Sequence, residues 1–144
     1  MSKRSRGTGD KSGVKSGVAE SILVVEPSVL VRMTIADYLR ECGYRVFEAI
    51  TGEEALAILG TGISVNTVFA SVRLQGALDG FALAQRIRKG FSDIEIILTT
   101  GLPMTAKKAG ELCGQGPLGR HHHPELIVKR LQLLFRKERP SDPE

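Results

Sequence analysis

No stretch of this 144-residue sequence is both uncharged and apolar over the roughly 18–20 residues that a membrane-spanning helix needs. No membrane partner is therefore expected. The first twenty residues lack any apolar segment, which excludes a secretory signal of ordinary form. Cysteine is scarce: Cys42 and Cys113 are too few for a disulfide scaffold and do not have metal-ligand spacing. A reduced, cytoplasmic compartment is the default expectation for such a chain. Excess charge is also scarce outside the tail. The net charge is +4, and residues 1–20 hold five basic and two acidic side chains, which leaves only +1 for the rest. A pI near 9.3 thus says little about a nucleic-acid face on the folded part.

What is present is apolar content of 42% against 25% charged residues, enough for a packed core. The length favours one domain, since single cores run to about 100–200 residues. Residues 1–20 are Ser, Gly and Lys with isolated valines and are expected to be a disordered basic tail. Residues 139–144, with Pro140 and Pro143, are expected to fray likewise. The domain is therefore assigned to residues 21–138.

Two kinds of segment alternate in it. Short apolar runs suited to buried strands fall at Ser21–Val25, Tyr44–Glu48, Val65–Ala70 and Ile94–Thr99. Ile96, Ile97 and Leu98 are apolar on both faces, as a parallel strand between helix layers requires. Helical spacing follows each run. Ser28 is placed to cap Val31, Ile35, Leu39 and Cys42, and Gly43 to stop that helix. Thr51 and Glu54 have capping-box spacing ahead of Ala55, Leu56, Ile58 and Leu59, with Gly60 at the end. Gly80–Lys89 carries Leu83, Ala84 and Ile87 on one face. Pro103–Leu112 is a weaker helix, and Leu118 sits in a poor fifth strand among glycines. A last helix starts near Pro124, with Ile127, Leu131, Leu134 and Phe135 at core spacing. The expectation is an α/β fold with a doubly wound, five-stranded parallel sheet and helices on both faces. Ligand chemistry in such sheets belongs at the carboxyl ends of the strands.

The blocks Ile22-Leu23-Val24-Val25-Glu26, Val68-Phe69-Ala70-Ser71-Val72-Arg73-Leu74-Gln75-Gly76, Leu78-Asp79-Gly80-Phe81 and Ile96-Ile97-Leu98-Thr99-Thr100-Gly101 together resemble response-regulator receiver domains of the CheY-like, flavodoxin-like type. So do Gly43-Tyr44-Arg45-Val46 and Gly52-Glu53-Glu54-Ala55-Leu56, at matching spacing. The resemblance runs from about Ser21 to Arg136. It implies a role in two-component phosphorelay signalling, in which a histidine kinase passes a phosphoryl group to an aspartate. That chemistry uses a nucleophilic carboxylate after the third strand. It also uses acidic groups after the first strand to hold Mg²⁺, a Ser/Thr after the fourth strand, and a lysine after the fifth.

At those positions the resemblance places Ser71 for the nucleophile, Glu26 and Pro27 for the acidic pair, and Thr100 or else Thr99 for the hydroxyl. Arg120 or Gly119 stands at the lysine position, and His121 replaces the proline that usually follows it. The aromatic residue usual in the fifth strand is absent, with Pro117 or Gly116 there. A serine is neutral and needs a base to attack phosphohistidine, and proline cannot ligate through its side chain. The expected pocket of Glu26, Pro27, Ser71, Thr100 and Arg120 is therefore degenerate. No cofactor is expected and Mg²⁺ binding should be weak or absent, because one carboxylate seldom holds that ion.

Other residues invite functional readings that local chemistry explains more simply. Asp79 is placed to cap the third helix rather than to accept phosphate. His121-His122-His123 are consecutive on a loop, where side chains diverge and rarely close one coordination shell. Ser71 lacks a Gly-x-Ser-x-Gly elbow, so it reads as a small residue in a vacated acid pocket, bonded to Thr100 and nearby backbone. The tail has no aromatic residue among its dispersed charges, so nucleic-acid binding is not expected.

The resulting expectation is a non-enzymatic, single-domain receiver that binds a protein partner without being phosphorylated. That partner would be a histidine kinase, another regulator, or a second copy forming a homodimer. Lys107, Lys108, Lys129 and Arg130 are candidates for its surface. The competing expectations are a receiver that accepts phosphate at a non-standard residue and an adaptor that binds nucleic acid through the basic tail.

Overall fold

The computed structural model describes residues 20–118 and 124–138. The elements run β1 (Ser21–Val25), α1 (Val29–Glu41), β2 (Arg45–Ala49), α2 (Gly52–Gly60), β3 (Thr67–Ser71), α3 (Gly80–Gly90), β4 (Glu95–Thr99), α4 (Gly101–Gln115) and α5 (Pro124–Glu138). The strands form one parallel sheet in the order β2-β1-β3-β4. The order doubles back after β2, so the crossover through α1 lies on one face and those through α2 and α3 on the other.

Alternation along the strands divides the core. Ile22, Val24, Val46 and Phe69 face α1, α4 and α5, where Ile35, Leu39, Ala109, Ile127 and Leu131 pack. Leu23, Val25, Val68 and Ala70 face α2 and α3, where Ala55, Leu59, Leu83 and Ile87 pack. β1 is buried along its whole length because it lies between neighbours and under helices on both sides.

Capping follows the chemistry expected of the sequence. Ser28 accepts from the Val31 N–H at 3.3 Å, Thr51 from Glu54 N–H at 3.1 Å and Asp79 from Ala82 N–H at 2.8 Å. Glu54 reaches back to accept from the Ile50 N–H at 2.7 Å, one residue ahead of the N-cap Thr51. Gly43 follows the C-cap of α1 at φ 99°, a left-handed conformation open to glycine and costly for other residues.

Several expectations are corrected. Among the described residues the sheet has four strands. Gly114 and Gln115 complete α4 and residues 116–118 form a turn, so Leu118 lies in no strand. β4 is consequently the edge strand among the described residues, and Ile96, Ile97 and Leu98 are half-buried rather than enclosed. α4 is three residues longer than expected at its C-terminal end. Ala106, Ala109, Gly110 and Cys113 keep its packing period going past Leu112. Leu134 is 36% exposed, while Ile127 and Leu131 take the core positions and Phe135 packs at the margin.

The cysteines are also corrected. Cys42, the C-cap of α1, and Cys113, in the last turn of α4, are joined as a disulfide with Cα atoms 5.3 Å apart. Their sequence separation of 71 residues hides a proximity that only the packing of α4 beside α1 creates. No described helix is long and apolar enough to cross a membrane. Residues 1–19 of the expected N-terminal tail, the expected tail at 139–144, and Gly119, Arg120 and His121–His123 lie outside the described residues.

Candidate functional site

The strands are parallel and in register, so their carboxyl ends meet at one edge. Val25 pairs with both Ala49 and Ala70, and Ser71 pairs with Thr99. The ladder continues one step beyond the strands, through Glu26 N–H to Ala49 O and Val72 N–H to Thr99 O, both at 3.0 Å. This brings Glu26, Ser71 and the Thr99-Thr100 pair to the same edge.

Glu26 is half-buried. Its carboxylate accepts from the Ser28 N–H at 2.9 Å, bending the chain through Pro27 into α1. Burial raises its pKa, and the Ser28 bond and the nearby Arg32 charge only partly offset that. Arg32 donates to the Glu26 carbonyl and to the Glu48 carboxylate, each at 3.1 Å. Glu48 also receives Arg40 at 3.2 Å, so one β2 carboxylate ties two arginines of α1 to the sheet.

Ser71 is closed into its own turn. Its Oγ accepts from the Arg73 N–H at 3.1 Å and lies 3.4 Å from the Arg73 carbonyl as donor. The backbone partner expected for Ser71 is thus found, while the expected bond to Thr100 is not among the described hydrogen bonds. Thr100 is exposed and is the N-cap residue of α4 without a side-chain cap bond. The inward hydroxyl is Thr99, which is 2% exposed and bonded to Thr105 Oγ1 at 3.0 Å. Thr105 also reaches the Gly101 carbonyl at 2.9 Å. The alternation that sends Phe69, Ser71 and Ile97 to one face sends Thr99 there too, which the Thr-Thr pair alone does not decide.

The loop from β3 to α3 is fastened at both ends. Glu53 of α2 accepts from the Ala77 N–H at 2.8 Å, and Gly80 donates to the Val72 carbonyl at 2.9 Å. A Cβ on Gly80 would lie 2.5 Å from Ser71 O and 2.6 Å from Val72 Cα, so only glycine fits there. Neither Glu53 nor Gly80 was identified as a site residue from sequence. The Gly80 signal was its place after Asp79, but its role depends on a contact nine residues back.

The donors at this edge do not suit a hard divalent cation. Glu26 is the single carboxylate of the expected set, and it is already engaged by backbone. Its raised pKa further disfavours the charged form a metal needs. Among the described residues no group of three or more His, Cys, Asp or Glu could hold a metal ion.

Of the expected interaction residues, Lys107 and Lys108 lie on α4 and Lys129 and Arg130 on α5, two helices that pack side by side. Lys107 and Lys129 are exposed, Lys108 pairs with Glu111 at 3.5 Å, and Arg130 pairs with Glu41 at 3.3 Å.

Residues 22–131 match the family model described as the response regulator receiver domain. Among solved structures the chain is similar to the response regulator TrrA of Thermotoga maritima, determined with Mg²⁺ and BeF, at 33% identity and TM-score 0.53. That match covers 56% of this chain and 69% of that one. A chain in the complex of histidine kinase ThkA with TrrA matches at 32% identity and TM-score 0.53, over 58% and 70% of the two chains. The chemotaxis regulator CheY4 of Vibrio cholerae matches at 26% identity and TM-score 0.55, over 81% and 99%.

Proposed function

The chain belongs to the response-regulator receiver family, and from that premise we propose that it is an atypical receiver that acts by binding a protein and not by carrying phosphate. The observation that carries this reading is Ser71. It stands at the end of β3 with its hydroxyl bonded within its own turn, and no described hydrogen bond links it to a base. A neutral hydroxyl so held is a poor acceptor for a phosphoryl group. Asp79 offers no substitute, since its carboxylate caps α3 through the Ala82 N–H. On this reading the chain is not an enzyme, its phosphoacceptor pocket is degenerate, and Mg²⁺ has at most a weak role.

The partner is a protein of the two-component system, such as a histidine kinase or another regulator. TrrA, a regulator to which this chain is similar, is seen in complex with a kinase. The proposed docking surface is the adjoining outer faces of α4 and α5, with Lys107, Lys108, Lys129 and Arg130. A cytoplasmic location accompanies this role.

Capture of partners from source cells tests it. Binding should be unchanged by acetyl phosphate or beryllofluoride and weakened by Lys129→Glu. Lys129 is the cleaner probe, because reversing Arg130 also breaks its pair with Glu41. A partner that binds only after phosphodonor treatment of this chain contradicts the proposal.

A further inference from the structure

α4 connects two dissimilar ends of the fold. Near its start it carries Thr105, bonded to Thr99 at the edge that holds Ser71 and Glu26. Its last turn carries Cys113, bonded to Cys42 at the end of α1. Beside the disulfide, Tyr44 donates to the Leu112 carbonyl at 2.6 Å, a second tie from the start of β2 to the same turn. The middle of α4 packs through small residues, Ala106, Ala109 and Gly110, which provide little side-chain area to hold it. The face it presents outward includes Lys107 and Lys108.

We propose that Cys42 and Cys113 form a redox latch on α4. The disulfide holds the last turns of the helix against α1, and reduction frees them. The reductant is a small-molecule thiol. Its thiolate attacks one sulfur, forms a mixed disulfide and expels the other sulfur, which takes up a proton. A second small-molecule thiolate then attacks the small-molecule sulfur of the mixed disulfide and expels the remaining cysteine, which takes up a proton, so two cysteine thiols form and the small thiols leave joined as their disulfide. The reverse exchange with an oxidised small-molecule disulfide restores the latch. Both cysteines are 2% exposed, so exchange proceeds through local opening of the end of α4. The oxidation state then changes how firmly the α4 surface is held, independently of any phosphoryl chemistry at Ser71.

Hydrogen exchange on the full chain tests the latch. The chain is prepared with oxidised glutathione or with excess dithiothreitol, and thiol content is read by alkylation and intact mass. The disulfide form should protect the amides from Ala109 to Gln115 at least about tenfold more than the dithiol form, with α3 amides unchanged, as for a local opening. Cys42→Ala/Cys113→Ala should match the dithiol form without reductant. If that variant does not fold, reduction of the native chain gives the same comparison. Failure of the thiols to pair under oxidised glutathione overturns the proposal. Equal protection in the two forms also overturns it, as does an equal loss across α3 and α4.

Discussion

The two ends of the sheet are held together in different ways. At the carboxyl edge, most of the ties span a few residues: Glu26 to Ser28, Ser71 to Arg73, Asp79 to Ala82. At the opposite edge they span up to about half of the chain: Cys42 to Cys113 across 71 residues, Tyr44 to Leu112 across 68, Ser21 to Asn66 across 45. Short ties fix a loop's shape at little entropic cost and leave its side chains free to change. Long ties close large loops and carry the connection between distant elements. Side chains at the carboxyl edge can therefore change while the fold persists.

This contrast predicts where substitutions should be costly. The largest effect belongs to the disulfide. Removing it with Cys42→Ala/Cys113→Ala releases a loop whose closure is worth about 4 kcal/mol in the chain-entropy view. Denaturant unfolding of the oxidised native chain and the variant measures it. Gly80→Ala comes next and tests the limit of tolerance at the carboxyl edge. There the new methyl meets backbone of Ser71 and Val72 rather than a flexible side chain, so a loss of about 1–3 kcal/mol is expected. A neutral outcome would mean that the β3–α3 loop yields easily.

Tyr44→Phe should cost about 1–2 kcal/mol by leaving the Leu112 carbonyl without its donor. The Tyr44 pKa is pushed up to about 12, first by burial and then by Glu20 and Glu95. The folded state thus holds this proton more tightly than the unfolded chain. Its contribution is complete below the ordinary value of 10.0 and is lost as pH rises to about 12. Tyr44→Phe should remove that alkaline loss, as pH-dependent denaturation midpoints will report.

Glu26→Gln should have the smallest effect and the opposite sign near neutrality. Burial raises the Glu26 pKa, so its contribution is present below the ordinary carboxylate value and lost as pH rises through the folded pKa. The variant keeps an oxygen for the Ser28 N–H and should flatten stability against pH just above the ordinary carboxylate range. An unchanged slope there would show that Glu26 is less desolvated than its position indicates.

The elements that were legible in sequence have strong local signals. Ser28, Thr51 and Asp79 cap as their types dictate, and Leu83, Ala84 and Ile87 lie on the buried face of α3. Where local signals conflict with packing, packing prevails. The glycines around Leu118 read as a poor fifth strand, yet Gly114 lies within α4, whose buried face runs on to Leu112 and Cys113. The disulfide, the Thr99–Thr105 bond and the fit of Gly80 under Ser71 join residues whose meeting depends on topology or loop path. The candidate site was legible as residues, Glu26, Ser71 and Thr100, but not as bonds. The hydroxyl turned inward is that of Thr99, and Ser71 closes on Arg73.

The central claim is that the Ser71 edge no longer accepts phosphate. Intact mass of the full chain after incubation with acetyl phosphate and Mg²⁺ tests it most directly. The account predicts an unmodified mass for the native chain, and for Ser71→Asp as well, since Glu26 and Pro27 remain beside the new carboxylate. A native chain that gains the mass of one phosphoryl group would contradict it.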